Sequence, residues 1–221
     1  MAINNNSGYC PVNPIAMHPF NEKQLCIPLD PAIRYDPFFF AQLPDDSRIF
    51  SIRPFCIPQD LPVIHKWIRR YCGVGDNGDA TPLQPLLETY NTLITAEYSQ
   101  SLMAEVDDMP LLQLDIMRAD KDEISLKEEI LPGDYSLQFL FSPLFTEPAA
   151  YFVAAMDKCL QGIFSFPEVK RLFCKTYALD KKSNRLLQNA GFVLDKKVRD
   201  YTGDVNIYRY EAIAKGMTLP S

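Results

Sequence analysis

The chain has 221 residues, 47% hydrophobic and 23% charged, enough for one sizeable domain or a domain with an added arm. Its 28 acidic and 22 basic residues leave a net charge of −6, which argues against a nucleic-acid binder. No apolar run reaches the roughly 18 residues that would suggest a membrane span, and six cysteines without a Cys-x-x-Cys pair, beside only two histidines, speak against a zinc site and for reduced thiols in a cytoplasmic protein.

Residues 1–20 are polar and proline-punctuated, with neither a basic leader nor an apolar stretch, and read as an irregular arm rather than a signal peptide. "KQLCIPL" and "SRIFSIRPF" read as strands, joined by "DPAIRYDPFFFAQLPDD". Phe38, Phe39 and Phe40 in that link belong either to an edge of the core or to a docking patch. In "QDLPVIHKWIRRY", Asp60 fits an N-cap, and Leu61, Ile64, Trp67, Ile68 and Tyr71 recur on one helical face. After the turn-rich "CGVGDNGDA", Thr81 and Pro82 open a second helix with an apolar stripe from Leu83 to Ile94.

The period then changes to two. "SLMAEV", a turn at residues 107–110, and "LLQLDIM" predict an antiparallel hairpin. An acidic connection leads to "YSLQFLFS", apolar almost throughout and therefore central in a sheet. A helix over "TEPAAYFVAAMDKCLQGIF", a strand "VKRLFCKTY", a helix "KKSNRLLQNA" that Gly191 ends in a left-handed conformation, and strands "FVLDKKV", with Phe192 packing inward, and "NIYRYEA" complete the chain. The fold class is mixed α/β, with a parallel, right-handed crossover between Tyr135 and Tyr177. Ligands in such sheets favour the carboxyl ends of the paired strands.

Four segments in this order carry a resemblance: "RPFCIPQDLPVIHKWI", "DDMPLLQLDIMRADKDEI", "PGDYSLQFLF" and "NRLLQNAGF". Over residues 48–212 the chain resembles the GCN5-related N-acetyltransferase (GNAT) superfamily, and within it the siderophore-biosynthesis branch that acylates hydroxylamines or lysine side chains. The resemblance implies a central, mostly antiparallel sheet flanked by helices over 48–221, with residues 1–47 as an N-terminal extension. It also implies a cleft between two parallel strands that takes acetyl-CoA or another acyl-CoA, and a small-molecule amine or hydroxylamine as acceptor. It admits a homodimer and calls for no metal.

Acylating an amine needs a neutral nucleophile, and a lysine-type amine with a pKa near about 10.4 arrives protonated unless a base stands by. The resemblance puts Asp134, in "PGDYSLQF", at the place of that base; the residue also suits a cap at the start of a strand beside Gly133. Gln100 stands where the resembling enzymes carry a histidine, and glutamine cannot transfer a proton near neutral pH. His65 and Trp67, in "IHKWI", are the substrate-side candidates, each with a structural alternative. For the cofactor the resemblance points to Phe141, Ser142, Thr146, Ala149, Ala150, Tyr151 and Asp180.

The phosphate loop departs from the family pattern. In "SPLFTEPAAYF", Pro148 and Ala150 stand where glycines are expected, Pro148 has no amide hydrogen, and Glu147 adds a negative charge. Lys175, Lys181 and Lys182 either meet phosphates from the side or are solvated surface charges. The departure leaves a catalytically inactive binding or assembly module as the alternative to an enzyme, with Phe38–Phe40 as its contact region.

Overall fold

The computed structural model describes residues 20, 24–43, 47–73, 82–143, 149–200 and 203–211. Its strands are β1 (Phe39–Gln42), β2 (Ile49–Pro54), β3 (Ser99–Val106), β4 (Met109–Arg118), β5 (Asp134–Phe141), β6 (Arg171–Tyr177), β7 (Val193–Asp200) and β8 (Gly203–Glu211). They form one sheet in the order β1-β2-β3-β4-β5-β6-β8-β7. Among the described residues only β5 and β6 run parallel, as the crossover helix between them requires. Helices α1 (Ile57–Tyr71) and α2 (Leu83–Thr95) link β2 to β3, α3 (Ala149–Phe164) crosses from β5 to β6, and α4 (Lys181–Asn189) precedes β7.

Strand alternation divides the sheet into two chemically different faces. On one, Ile52, Ala104, Leu112 and Phe141 stand in one cross-strand row, and Leu102, Leu114 and Phe139 in the next. Helix α3 packs there so closely that a Cβ built on Gly162 would lie 2.6 Å from Ile52 Cδ1. The other face carries Arg53, Met103, Gln113 and Leu140 in one row and Ser101, Asp115 and Gln138 in the next. Helices α1 and α2 cover this polar face, with the Tyr90 ring of α2 stacked on Phe55 at 4.3 Å.

A buried ion cluster ties α1 to the sheet. Arg53 gives two 2.7 Å hydrogen bonds to the Asp60 carboxylate, and its Nε and Nη2 reach Glu105 Oε1 at 3.0 and 2.6 Å. Asp60 also accepts from the Cys56 N–H at 2.7 Å. The helix therefore starts four residues before the expected Asp60 cap, with Cys56 as N-cap, and Asp60 reaches back from inside the first turns. Leu61, Ile64 and Trp67 are buried as the periodicity predicts. The second helix likewise begins at Leu83, with Pro82 as its N-cap; Thr81 lies outside the described residues.

Two other expectations are corrected. The described part of "KQLCIPL", residues 24–29, forms no strand: Leu25 gives its amide to Glu168 Oε1, Pro28 has none to give, and Leu29 bonds Ile94 O. Leu25, Cys26 and Leu29 nevertheless join the main core. The phenylalanine triplet is split, since Phe38 packs edge-on against Phe20 and Phe166, while Phe40 on edge strand β1 is 63% exposed. The hairpin turn is tighter than expected: Asp107 and Asp108, at φ of 48° and 61°, connect β3 to β4 alone, the two-residue geometry that suits a twisted hairpin.

The end of α4 matches the sequence reading. Gly191 takes φ 97°, its N–H bonds Gln188 O, and the Phe192 N–H reaches back to Leu187 O. This is a Schellman closure, and it turns Phe192 into the core beside Tyr210.

Candidate active site

Strands β5 and β6 pair only at Asp134↔Arg171, Tyr135↔Leu172 and Ser136↔Phe173. Beyond that row they part, while β5 keeps its register with β4 as far as Phe141. The gap opens into a cleft of about 1030 Å³, walled by Phe139, Leu140 and Phe141 of β5, Phe152 of α3 and the outer face of α4.

The strand edge facing this cleft is unsatisfied by design of the register. Ser142 donates its N–H to Leu111 O at 2.9 Å, so the backbone groups of Ser142, Leu140 and Gln138 turn toward β4. Those of Phe141, Phe139 and Leu137 therefore turn toward the parted side. Tyr71, at i+7 from Ile64 on the same face of α1, lines the cleft and donates its hydroxyl to Phe141 O at 3.1 Å. Among the described residues the Phe139 and Phe141 amides remain as an open edge on which an extended, amide-bearing ligand can add like a strand. Ser142, whose amide is already committed, is not an available donor.

On the polar face, Asp115 stands opposite Gln138 at the point where β5 leaves β6. Its Oδ1 accepts from Ser101 Oγ at 2.6 Å and Gln113 Nε2 at 2.5 Å, and Oδ2 takes no hydrogen bond among the described residues. Burial pushes the Asp115 carboxyl above the usual carboxylate range, against the opposing pull of those two hydrogen bonds. Nearby, the Tyr90 phenol is pushed up by burial and by the Asp115 and Asp60 carboxylates, and stays protonated. A carboxylate with one oxygen held and the other open is equipped to accept a proton; Asp115 sits on β4, one strand in from the opening, and like Gln138 does not line the cleft itself.

The two expected catalytic residues are not brought together. Asp134 lies at the closed end of β5, about 23 Å along the strand from Phe141 at about 3.3 Å per residue. Arg171 holds it through Nε at 2.6 Å and Nη2 at 2.5 Å, and the Leu131 N–H adds a bond at 2.7 Å. Asp134 is thus a strand-start clamp, outside the cleft. Gln100 is on the opposite sheet face from Asp115, with Nε2 on Ile27 O at 3.1 Å and Oε1 on the Ser101 N–H. Trp67 is buried in the core and His65 is half-buried on α1. Neither residue lines the cleft.

Of the expected cofactor residues, Phe141 and Asp180 border the cleft. Asp180 caps α4 by accepting from the Ser183 N–H at 3.0 Å. Ala149 and Ala150 begin α3, Tyr151 follows half-buried, and Thr146 lies outside the described residues. Lys181 and Lys182 do face the cleft, joined by Arg185, whereas Lys175 pairs with Glu123 away from it. Asn184 was not singled out in the sequence, yet it anchors this part of the site. Its Nδ2 donates to Tyr177 O and Asp180 O, and its Oδ1 accepts from Thr176, Asn206 and Tyr208.

Among the described residues no group of three or more His, Cys, Asp or Glu side chains could hold a metal ion, and no helix is long and apolar enough to cross a membrane. The model of the acetyltransferase (GNAT) domain matches residues 57–200. No curated protein matches the chain in sequence. Among solved structures, an uncharacterized protein from Bacillus halodurans superposes at a TM-score of 0.68 with 14% identity, over 79% of this chain and 90% of its own. The aminoglycoside acetyltransferase AAC(6')-Ib in complex with coenzyme A gives 0.63 with 18% identity, over 75% and 96%. RimJ of Mycobacterium smegmatis in complex with CoA-disulfide gives 0.62 with 11% identity, over 83% and 90%. At these identities the superpositions speak for the fold.

Proposed function

We propose that the chain, which belongs to the acetyltransferase (GNAT) family, is an N-acyltransferase that moves an acyl group from acyl-CoA to the amine or hydroxylamine of a small, siderophore-like precursor. The observation that carries this reading is the parting of β5 from β6 beside Asp115 and Gln138. It leaves a cleft with an open strand edge, and one strand in from that edge, on β4, a buried carboxylate with a raised pKa. The four sequence segments named above support the siderophore-type acceptor.

Acyl-CoA, when bound, supplies an activated thioester. The apolar walls of Phe139, Phe141 and Phe152 exclude water from the acyl end, and the Phe139 or Phe141 N–H donates to the acyl carbonyl oxygen. The acceptor nitrogen, oriented by Gln138, forms the new C–N bond as the thioester C–S bond would break; the nitrogen's proton goes to Asp115 Oδ2, and CoA would leave as the thiolate and take a proton from solvent. The reading also places the protein in the cytoplasm with reduced thiols; Cys26, Cys56, Cys72, Cys159 and Cys174 are unpaired.

Calorimetric titration with CoA and acetyl-CoA, followed by a turnover assay with a hydroxylated diamine, tests the proposal. Binding and acetylation are expected; no response at millimolar CoA sinks it. A second reading, an inactive GNAT-fold assembly module, draws on the Glu147-Pro148 departure and on the exposed Phe40 of β1. It expects no CoA response, and self-association that Phe40→Ser abolishes.

A further inference from the structure

Lys181, Lys182 and Arg185 border the cleft together, and among the described residues the one carboxylate lining it, that of Asp180, is engaged in capping α4. Among the described residues none of the three cations has an ion-pair partner. Lys182 instead leans across to α3, its ammonium 5.9 Å from the centre of the Phe152 ring. This arrangement is unfavourable for the helix alone. Cations in the first turns oppose the helix dipole, and Lys181 with Arg185 is a like-charge pair at i, i+4. The nine-residue α4 tolerates the arrangement because Asn184 clamps its start to β6 and β8 through buried hydrogen bonds. The three exposed cations set a positive field at the mouth of the cleft that favours an anion there.

Resting on the acyltransferase reading, we infer that Lys181, Lys182 and Arg185 of α4 hold the phosphate groups of the acyl donor, a task for which the segment leading into α3 is poorly equipped. That segment offers a proline without an amide hydrogen at 148 and a negative charge at Glu147. Charge on α4 takes over a task that backbone amides would otherwise perform. The donor's amide-bearing arm then runs inward from α4 along the Phe139 and Phe141 edge.

The test is titration of the full chain with CoA and with pantetheine, which lacks the phosphates, at low and high salt. The wild type is compared with the Lys181→Gln, Lys182→Gln, Arg185→Gln triple variant. Glutamine keeps helix propensity, and circular dichroism confirms that α4 is intact. The triple variant is expected to lose about tenfold to a hundredfold in CoA affinity, with pantetheine affinity unchanged and a shallower salt dependence for CoA. CoA affinity within about twofold of wild type overturns this inference and leaves the acyltransferase reading standing. Failure of the wild type to bind either ligand overturns both.

Discussion

Asp115 of β4 and Gln138 of β5 face one another two residues beyond the last row at which β5 still pairs with β6. The place where the sheet opens is therefore also the place where a desolvated carboxylate meets an exposed amide side chain. Register produces this coincidence. Fixing Leu112 against Phe141 puts Asp115 against Gln138 and turns the Phe139 and Phe141 amides to the gap.

Asp115→Asn should lower kcat/KM by about a hundredfold to ten-thousandfold, the usual worth of a positioned base. The amide oxygen can still accept from Ser101 and Gln113, so the fold and CoA binding are expected to persist. Steady-state kinetics with calorimetry on the same samples checks both halves. Unchanged turnover removes Asp115 from the chemistry.

The same substitution has a predictable effect on stability. A carboxyl whose folded pKa is raised holds its proton more tightly in the native state, so folding loses stability as pH rises from the unfolded pKa through the folded one. Wild type carries that burden near neutral pH and asparagine does not. Asp115→Asn should therefore raise Tm around pH 7, with the gain vanishing below the ordinary aspartate pKa. Calorimetric melts across that range decide it.

The contrast between Asp115 and Asp134 shows what was legible in the sequence. Helix periods, the 3.6-to-2 change at Ser101, the parallel crossover and the Gly191 closure follow from local spacing and backbone chemistry. Asp134 suited a base only while Arg171, 37 residues away, was out of view. That partner is set by tertiary pairing. A signal for Asp115 did exist: Gln113 and Asp115 are polar at alternate positions of an otherwise apolar strand, opposite Ser101 in the preceding one. Two polar residues on one face of a central strand require partners or a function. Strand β1 and the strandless path through Leu25 escaped notice because their hydrogen bonds are to distant residues.

Asp134→Asn tests the clamp. Its side chain is 1% exposed and that of Arg171 19%, so weakening the paired hydrogen bonds should cost about 1–3 kcal/mol of folding stability. Urea denaturation should show that loss while kcat stays close to wild type. A collapse in kcat with stability retained would return Asp134 to the catalytic role.

Tyr71→Phe removes the hydroxyl that holds Phe141 O. One neutral hydrogen bond contributes about 0.5–1.5 kcal/mol, so CoA affinity should fall roughly twofold to tenfold as the β5 edge loosens. Stability should change little, since Tyr71 is half exposed. Titration calorimetry with CoA is the measurement, and an unaltered Kd would mean that the edge is rigid without this bond.

Arg53→Leu leaves Asp60 and Glu105 facing each other without their shared cation, both side chains fully buried. Breaking a buried pair by removing one partner costs about 3–5 kcal/mol. Arg34 cannot compensate, because its guanidinium is 3.6 Å from Glu105 Oε2 and partly in solvent. Lysine should not rescue either, since a single ammonium cannot reproduce the fork that spans both carboxylates. The pH dependence identifies the cause. Protonation relieves the repulsion between two buried carboxylates that have lost their cation, so the deficit of Arg53→Leu should shrink as pH falls toward 4. A cavity left by the lost side chain would give a pH-independent deficit, and urea melts at pH 7 and near pH 4 separate the two.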